Sequence, residues 1–202
     1  MIMGALMVVL INPVMGAVNH WVNDGLTAMS GGSKVLLGLV LGGMMSIDFG
    51  GAPQQGGLCV RDRVPGRGGW PRPVSSPFMA SVMIGGMVPP LAIAVACRLF
   101  PKKFTEQERN SSVTNFVMGL SFITEGAIPF AAEDPSRVIP ACAIGSAVAG
   151  ALSMVFGCTI PAPHGGIFVF GVVHNWPMYL VALAVGTAVG AVLLGVLKKN
   201  RE

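Results

Sequence analysis

Charge is what this sequence has least of. Only 11% of its 202 residues are Asp, Glu, Lys or Arg, against 52% hydrophobic, where a soluble domain carries about 25% charged. So few charges cannot cover a soluble fold of this length. A bilayer removes the requirement, because lipid solvates the apolar faces. Cysteine is scarce too. Cys59, Cys97, Cys142 and Cys158 show no CxxC spacing, so neither a dithiol redox pair nor a cysteine metal site is indicated. They are expected to pack as small hydrophobes. No basic stretch precedes the first apolar run, so no cleavable signal peptide is evident, and the true start is expected upstream of Met1. The net charge of +4 does not point to nucleic acid, because the basic residues sit in short loops and form no continuous patch.

What the chain does have is long apolar runs. A spanning helix needs about 20 mostly apolar residues. Candidates lie at roughly 2–18, 35–49, 78–100, 113–132, 138–160 and 176–197, with a polar amphipathic stretch at 19–24. The fourth run is interrupted by Glu125, Gly126 and Pro129. Small residues four apart, Gly38/Gly42 and Gly186/Gly190, would let helices approach closely. The expected fold is all-α: a polytopic integral membrane protein with about five transmembrane helices plus one or two re-entrant hairpins.

Loop charge orients it. Arg98, Lys102, Lys103 and Arg109 make one basic loop, and Lys198, Lys199 and Arg201 a basic C-terminus. Positive-inside puts both in the cytoplasm, so the chain crosses an even number of times between them. The fifth and sixth runs supply those crossings. The fourth must then enter and leave on one side, which suits a broken backbone lining a cavity. His20, Trp21, His174, Trp176 and Tyr179 are expected to be interfacial anchors.

The stretch 116–135, FVMGLSFITEGAIPFAAEDP, resembles the signature of the fructose-type enzyme IIC, the membrane permease subunit of bacterial phosphoenolpyruvate-dependent sugar phosphotransferase systems. The match continues through 139–170, including the PAPHGG loop, and the segment 31–51 resembles the family's acidic-Gly-Gly membrane segment. Only the C-terminal half of the pattern is covered. The resemblance implies a sugar, fructose by default, bound within the bacterial inner membrane and phosphorylated on release by a phospho-IIB partner, itself fed by IIA and the phosphocarrier protein. It implies a homodimer, and loop charge gives the multi-pass chain a cytoplasmic C-terminus. It implies no cofactor and no metal, and no phosphoryl-carrying residue in this chain.

Glu125 is the leading site residue. A carboxylate deep in an apolar run costs about 2.5–3.5 kcal/mol, so it should face a wet cavity or a partner such as Arg137. By the resemblance it binds sugar hydroxyls; an ionised carboxylate accepts their hydrogen bonds and can orient or deprotonate one. Thr124 and Ile123 flank it as further substrate-binding candidates. His164, in the PAPHGG turn, can donate and accept, and Asp48 ends a membrane segment; both are candidates for the same site. Glu133 and Asp134, before Pro135 and Arg137, read as a surface turn with a local salt bridge.

One segment departs from the pattern. Residues 52–77 hold four of the 13 Lys and Arg and five of the 15 Pro. The family pattern continues there with Asn-Lys-Ala-Ala-Tyr. If 54–58 are written CAA CAA GGC GGC CTA, reading one nucleotide later encodes Asn-Lys-Ala-Ala and opens a Tyr codon. Two compensating frameshifts, near Gly51 and Pro77, account for this; a genuine basic, Pro-rich loop is the alternative. The whole chain, 1–202, then reads as one partial IIC membrane domain. Its rivals are a non-functional remnant of that permease and a secondary transporter with no phosphorylation step, which would also use broken helices.

Overall fold

A computed structural model describes residues 34–48, 77–161 and 164–198, with the side chain of Asp48 excepted. The first apolar run, the stretch 19–24, His20, Trp21, Cys59 and all of the segment 52–77 but Pro77 lie outside the described residues. Six α-helices follow one another within them: α1 (Lys34–Asp48), α2 (Pro77–Leu99), α3 (Glu106–Leu120), α4 (Ile128–Glu133), α5 (Pro135–Val155) and α6 (Trp176–Leu197). A 3-10 turn, Thr124–Ala127, leads into α4. The protein is all-α, and α2, α5 and α6 are long and apolar enough to cross a membrane. α1 is a shorter apolar helix. The fourth apolar run is no continuous helix; it is shared among the end of α3, the turn and α4.

α2 is apolar on every side and is buried from Met79 to Ala94, as such a helix must be. The other helices pack around it. Glycines set the closest crossings. A Cβ at Gly38 on α1 would lie 2.6 Å from the Gly150 carbonyl oxygen on α5. One at Gly85 on α2 would lie 2.8 Å from the Gly42 carbonyl oxygen. Between α5 and α6, Gly145 and Gly186 face each other's carbonyls at 2.8 and 2.7 Å from the built positions. The small-residue spacing therefore sits where backbones meet. α6 carries Val181, Val185, Val192 and Val196 on an exposed face, the composition that lipid solvates.

Two prolines, Pro89 and Pro90, stand inside α2. Each lacks an N–H, so the carbonyls four residues earlier lose their helical donors. Those carbonyls belong to Gly85 and Gly86, and both are satisfied from outside the helix. Ser146 Oγ on α5 donates to the Gly85 oxygen at 2.8 Å. Thr124 Oγ1 on the 3-10 turn donates to the Gly86 oxygen at 3.0 Å. Ser146 also accepts from Ser46 Oγ on α1. The break in α2 thus organises α1, α5 and the turn around one point.

At one end of the bundle, Thr105 caps α3. Its Oγ1 accepts from Glu108 N at 3.3 Å, and its own N–H donates to Glu108 Oε2 at 2.6 Å, a reciprocal capping box. Lys198, just past α6, donates to Glu108 Oε1 at 2.5 Å. The Lys198 ammonium lies 4.0 Å from the centroid of the Phe104 ring, and Lys103 Nζ donates to the Gly195 oxygen at 2.5 Å. Lys103 and Lys198, which loop charge assigned to one face of the membrane, meet at one end of the fold.

Candidate functional site

α3 leaves this end and the α4 segment returns to it. Gln107 and Glu108, in the first turn of α3, line the same cavity as Pro129 and Glu133 of α4. The chain therefore doubles back between α3 and α4. The cavity has a volume of about 330 Å³, and its walls include Ser111, Asn115, Met118, Glu125 and Gly126. Small-ligand sites run from about 300 to 1,000 Å³.

Glu125 stands on the 3-10 turn, is exposed and lines this cavity. Arg137 does not pair with it. Arg137 Nη1 instead bonds Asp134 Oδ2 at 2.8 Å, the local salt bridge expected at that turn. Desolvation raises the Asp134 pKa, but hydrogen bonds from Arg137 and Ser136 outweigh it and hold the carboxyl below its ordinary value. Glu108, the buried carboxylate in the cavity wall, has both oxygens engaged by Thr105 and Lys198. Glu125 makes no hydrogen bond or ion pair among the described residues, so its oxygens face the cavity with acceptor capacity to spare.

The remaining candidates fall in different places. Thr124 is buried, and its hydroxyl is directed to Gly86 in the core. Ile123 is 40% exposed and does not line the cavity. Asp48 ends α1, and its side chain lies outside the described residues. His164 is exposed and meets the Phe122 ring edge to face, centroids 6.2 Å apart. It does not line the Glu125 cavity, but its loop does reach the turn that carries Glu125. A Cβ at Gly165 would lie 2.5 Å from Phe122 Cδ2, and one at Gly86 would lie 2.7 Å from Phe122 Cε2. Phe122 is thus clamped between α2 and the His164 loop. It holds φ at 63°, a left-handed conformation uncommon for a bulky residue. Trp176 is exposed as an interfacial anchor should be, but Tyr179 is not an anchor. It is 1% exposed and packs its ring against Phe170, centroids 5.8 Å apart.

Sequence reasoning missed Phe122, Glu108 and Asn115. A signal existed for the last two. Glu108, Ser111, Asn115 and Met118 recur at helical spacing on α3 and all line the cavity, a polar stripe rising into an apolar run. Among the described residues no cluster of His, Cys, Asp and Glu is placed to hold a metal ion. Cys97, Cys142 and Cys158 are free and buried.

Comparison with known proteins gives close relatives along nearly the whole chain. It is 42% identical over 198 residues, 98% of its length, to the PTS system fructose-specific EIIABC component of Bacillus subtilis (strain 168), covering 30% of that protein. It is 43% identical over 201 residues to the fructose permease IIC component of Bacillus amyloliquefaciens, covering all of this chain and 64% of the relative. It is 48% identical over 182 residues to the PTS system fructose-specific EIIB'BC component of Xanthomonas campestris pv. campestris, 89% of this chain and 30% of that one. The chain thus spans between 30% and 64% of these relatives' lengths. No family model matches it, and no solved structure does.

Proposed function

The chain is homologous along nearly its whole length to the IIC part of fructose-specific phosphotransferase proteins, and on that premise we propose that its Glu125 cavity is where a sugar is held during uptake. Fructose is the sugar named for the relatives. The observation that carries the reading is Glu125 itself: a carboxylate without a partner among the described residues, lining a cavity of about 330 Å³ with polar side chains around it. An acceptor so placed binds hydroxyls and can orient or deprotonate the one to be phosphorylated.

The phosphoryl donor in this reading is a IIB partner, supported by relatives whose names join IIB and IIC in one chain. IIA and the phosphocarrier protein stand upstream of it. In this reading the end of the bundle that holds Lys103, Lys198 and the cavity faces the cytoplasm of a bacterial inner membrane, and the basic loops support that orientation. The site is built on one chain, and the assembly is a homodimer. Thr124 and His164 connect to the turn that carries Glu125, through the bond to Gly86 and the contact with Phe122. His164 acts at the Phe122 contact, and Thr124 acts by holding the turn.

The test is radiolabelled fructose uptake into vesicles bearing the chain, with and without phosphorylated IIB. Uptake that needs phospho-IIB and releases sugar phosphate supports the reading. Uptake of unmodified sugar without IIB would make the protein a secondary transporter. Absence of sugar binding by the purified chain would remove the proposal altogether.

A further inference from the structure

Asn115 is 2% exposed, and neither its Oδ1 nor its Nδ2 has a hydrogen-bond partner among the described residues. Buried polar groups in native proteins are nearly always paired, because leaving them unpaired in an apolar setting is costly. This one sits in the wall of the cavity that holds Glu125. Its Oδ1 lies against Gly126, so close that a Cβ on that residue would collide with it. Resting on the sugar reading above, we propose that Asn115 is a second sugar-binding residue, whose carboxamide reads adjacent hydroxyls and sets which sugar the site accepts.

The chemistry is complementary. Glu125, ionised, can only accept hydrogen bonds, whereas a carboxamide carries two donor hydrogens and one acceptor oxygen. Each sugar hydroxyl donates once and accepts as well. A carboxamide therefore pairs with two neighbouring hydroxyls, one accepting from Nδ2 and one donating to Oδ1, while a third donates to Glu125. A site built to hydrogen-bond a hydroxyl rejects an analogue that lacks it far more strongly than an apolar pocket can.

Access is through Met118. A Cβ on Gly126 would lie 3.1 Å from Met118 Sδ, and Met118 lines the cavity from the same face of α3. Its unbranched, flexible chain adapts readily, and its rotation opens the amide to the cavity. Ser112 on the same helix also has a hydroxyl unpaired among the described residues, but it does not line this cavity and serves as a control.

The experiment is calorimetric titration of fructose, and of deoxyfructoses each lacking one hydroxyl, into the detergent-solubilised chain. Asn115→Leu and Asn115→Ala are compared with Ser112→Ala and the unaltered chain, with thermal unfolding alongside. Asn115→Leu is expected to weaken fructose binding at least tenfold while leaving Tm unchanged or higher, since it removes no intramolecular hydrogen bond. One deoxyfructose, disfavoured by the unaltered chain, should bind Asn115→Ala as well as fructose does. Ser112→Ala should bind as the unaltered chain does. If Asn115→Leu does not fold, Asn115→Ala decides by the same readings. Fructose affinity unchanged in both Asn115 variants, with or without a fall in Tm, overturns this inference alone. No fructose binding by the unaltered chain overturns both it and the reading it rests on.

Discussion

Thr124 Oγ1 donates a 3.0 Å hydrogen bond to the carbonyl oxygen of Gly86, the acceptor that Pro90 leaves without a helical donor. The bond joins the break in α2 to the turn that presents Glu125. Thr124→Val keeps the shape and removes the donor, leaving a buried carbonyl unsatisfied at a cost of about 1–3 kcal/mol. The expected outcome is a lower Tm in detergent together with weaker sugar binding, because the turn loses its anchor. Thr124→Ser, which keeps the hydroxyl, should recover most of both. A Tm equal to that of the unaltered chain in Thr124→Val would show the bond to be dispensable.

Much of this arrangement was legible in the residues, and the part that was not has a definite cause. The limits of α2 and α6 follow from apolar length alone, and Glu125, Gly126 and Pro129 marked the place where the fourth run breaks between α3 and α4. The spacing of Gly38 and Gly42 marked a close crossing. What sequence could not show was the partner of each polar group. Thr124 sits beside Glu125 in the chain, yet its hydroxyl serves a helix 38 residues away. Tyr179 has the composition of an interfacial anchor but is turned inward by its contact with Phe170. His164 and Glu125 share a motif-rich region, but one meets Phe122 and the other the cavity. Such pairings depend on tertiary contacts that no local pattern encodes.

Glu125→Gln should leave folding intact, since Glu125 has no partner to lose among the described residues, and should weaken fructose binding. Hydrogen bonds to a charged group are worth about 1.5–3 kcal/mol, so replacing the carboxylate lowers affinity by roughly ten- to a hundredfold. Equilibrium binding of labelled fructose to the solubilised chain measures it. Equal affinity in Glu125→Gln would remove the carboxylate from the site.

Gly165 and Phe122 should be coupled. A Cβ 2.5 Å from the Phe122 ring forces the ring or the loop to move, and overpacking of this kind costs about 1–3 kcal/mol. Gly165→Ala is expected to lower Tm, and adding Phe122→Leu, a smaller side chain, should restore part of the loss. Thermal unfolding of the two single variants and the double variant gives the coupling directly. Strict additivity would mean that the loop and the turn do not touch in solution.

The Glu108–Lys198 pair makes the sharpest stability prediction, because both partners are buried, at 6% and 1% exposure. Removing one leaves the other charge uncompensated, which typically costs about 3–5 kcal/mol, whereas replacing both by apolar residues is often neutral. Lys198→Met alone should therefore lower Tm strongly, and Glu108→Leu alone should do so too, with the added loss of the Thr105 capping box. The double variant should be more stable than either single one. The recovery will be incomplete, because the box at the start of α3 is not replaced. Glu108 also lines the Glu125 cavity, so the single variants should weaken fructose binding by disordering the wall. Single variants that unfold at the temperature of the unaltered chain would mean that the pair does not tie the end of α6 to the start of α3.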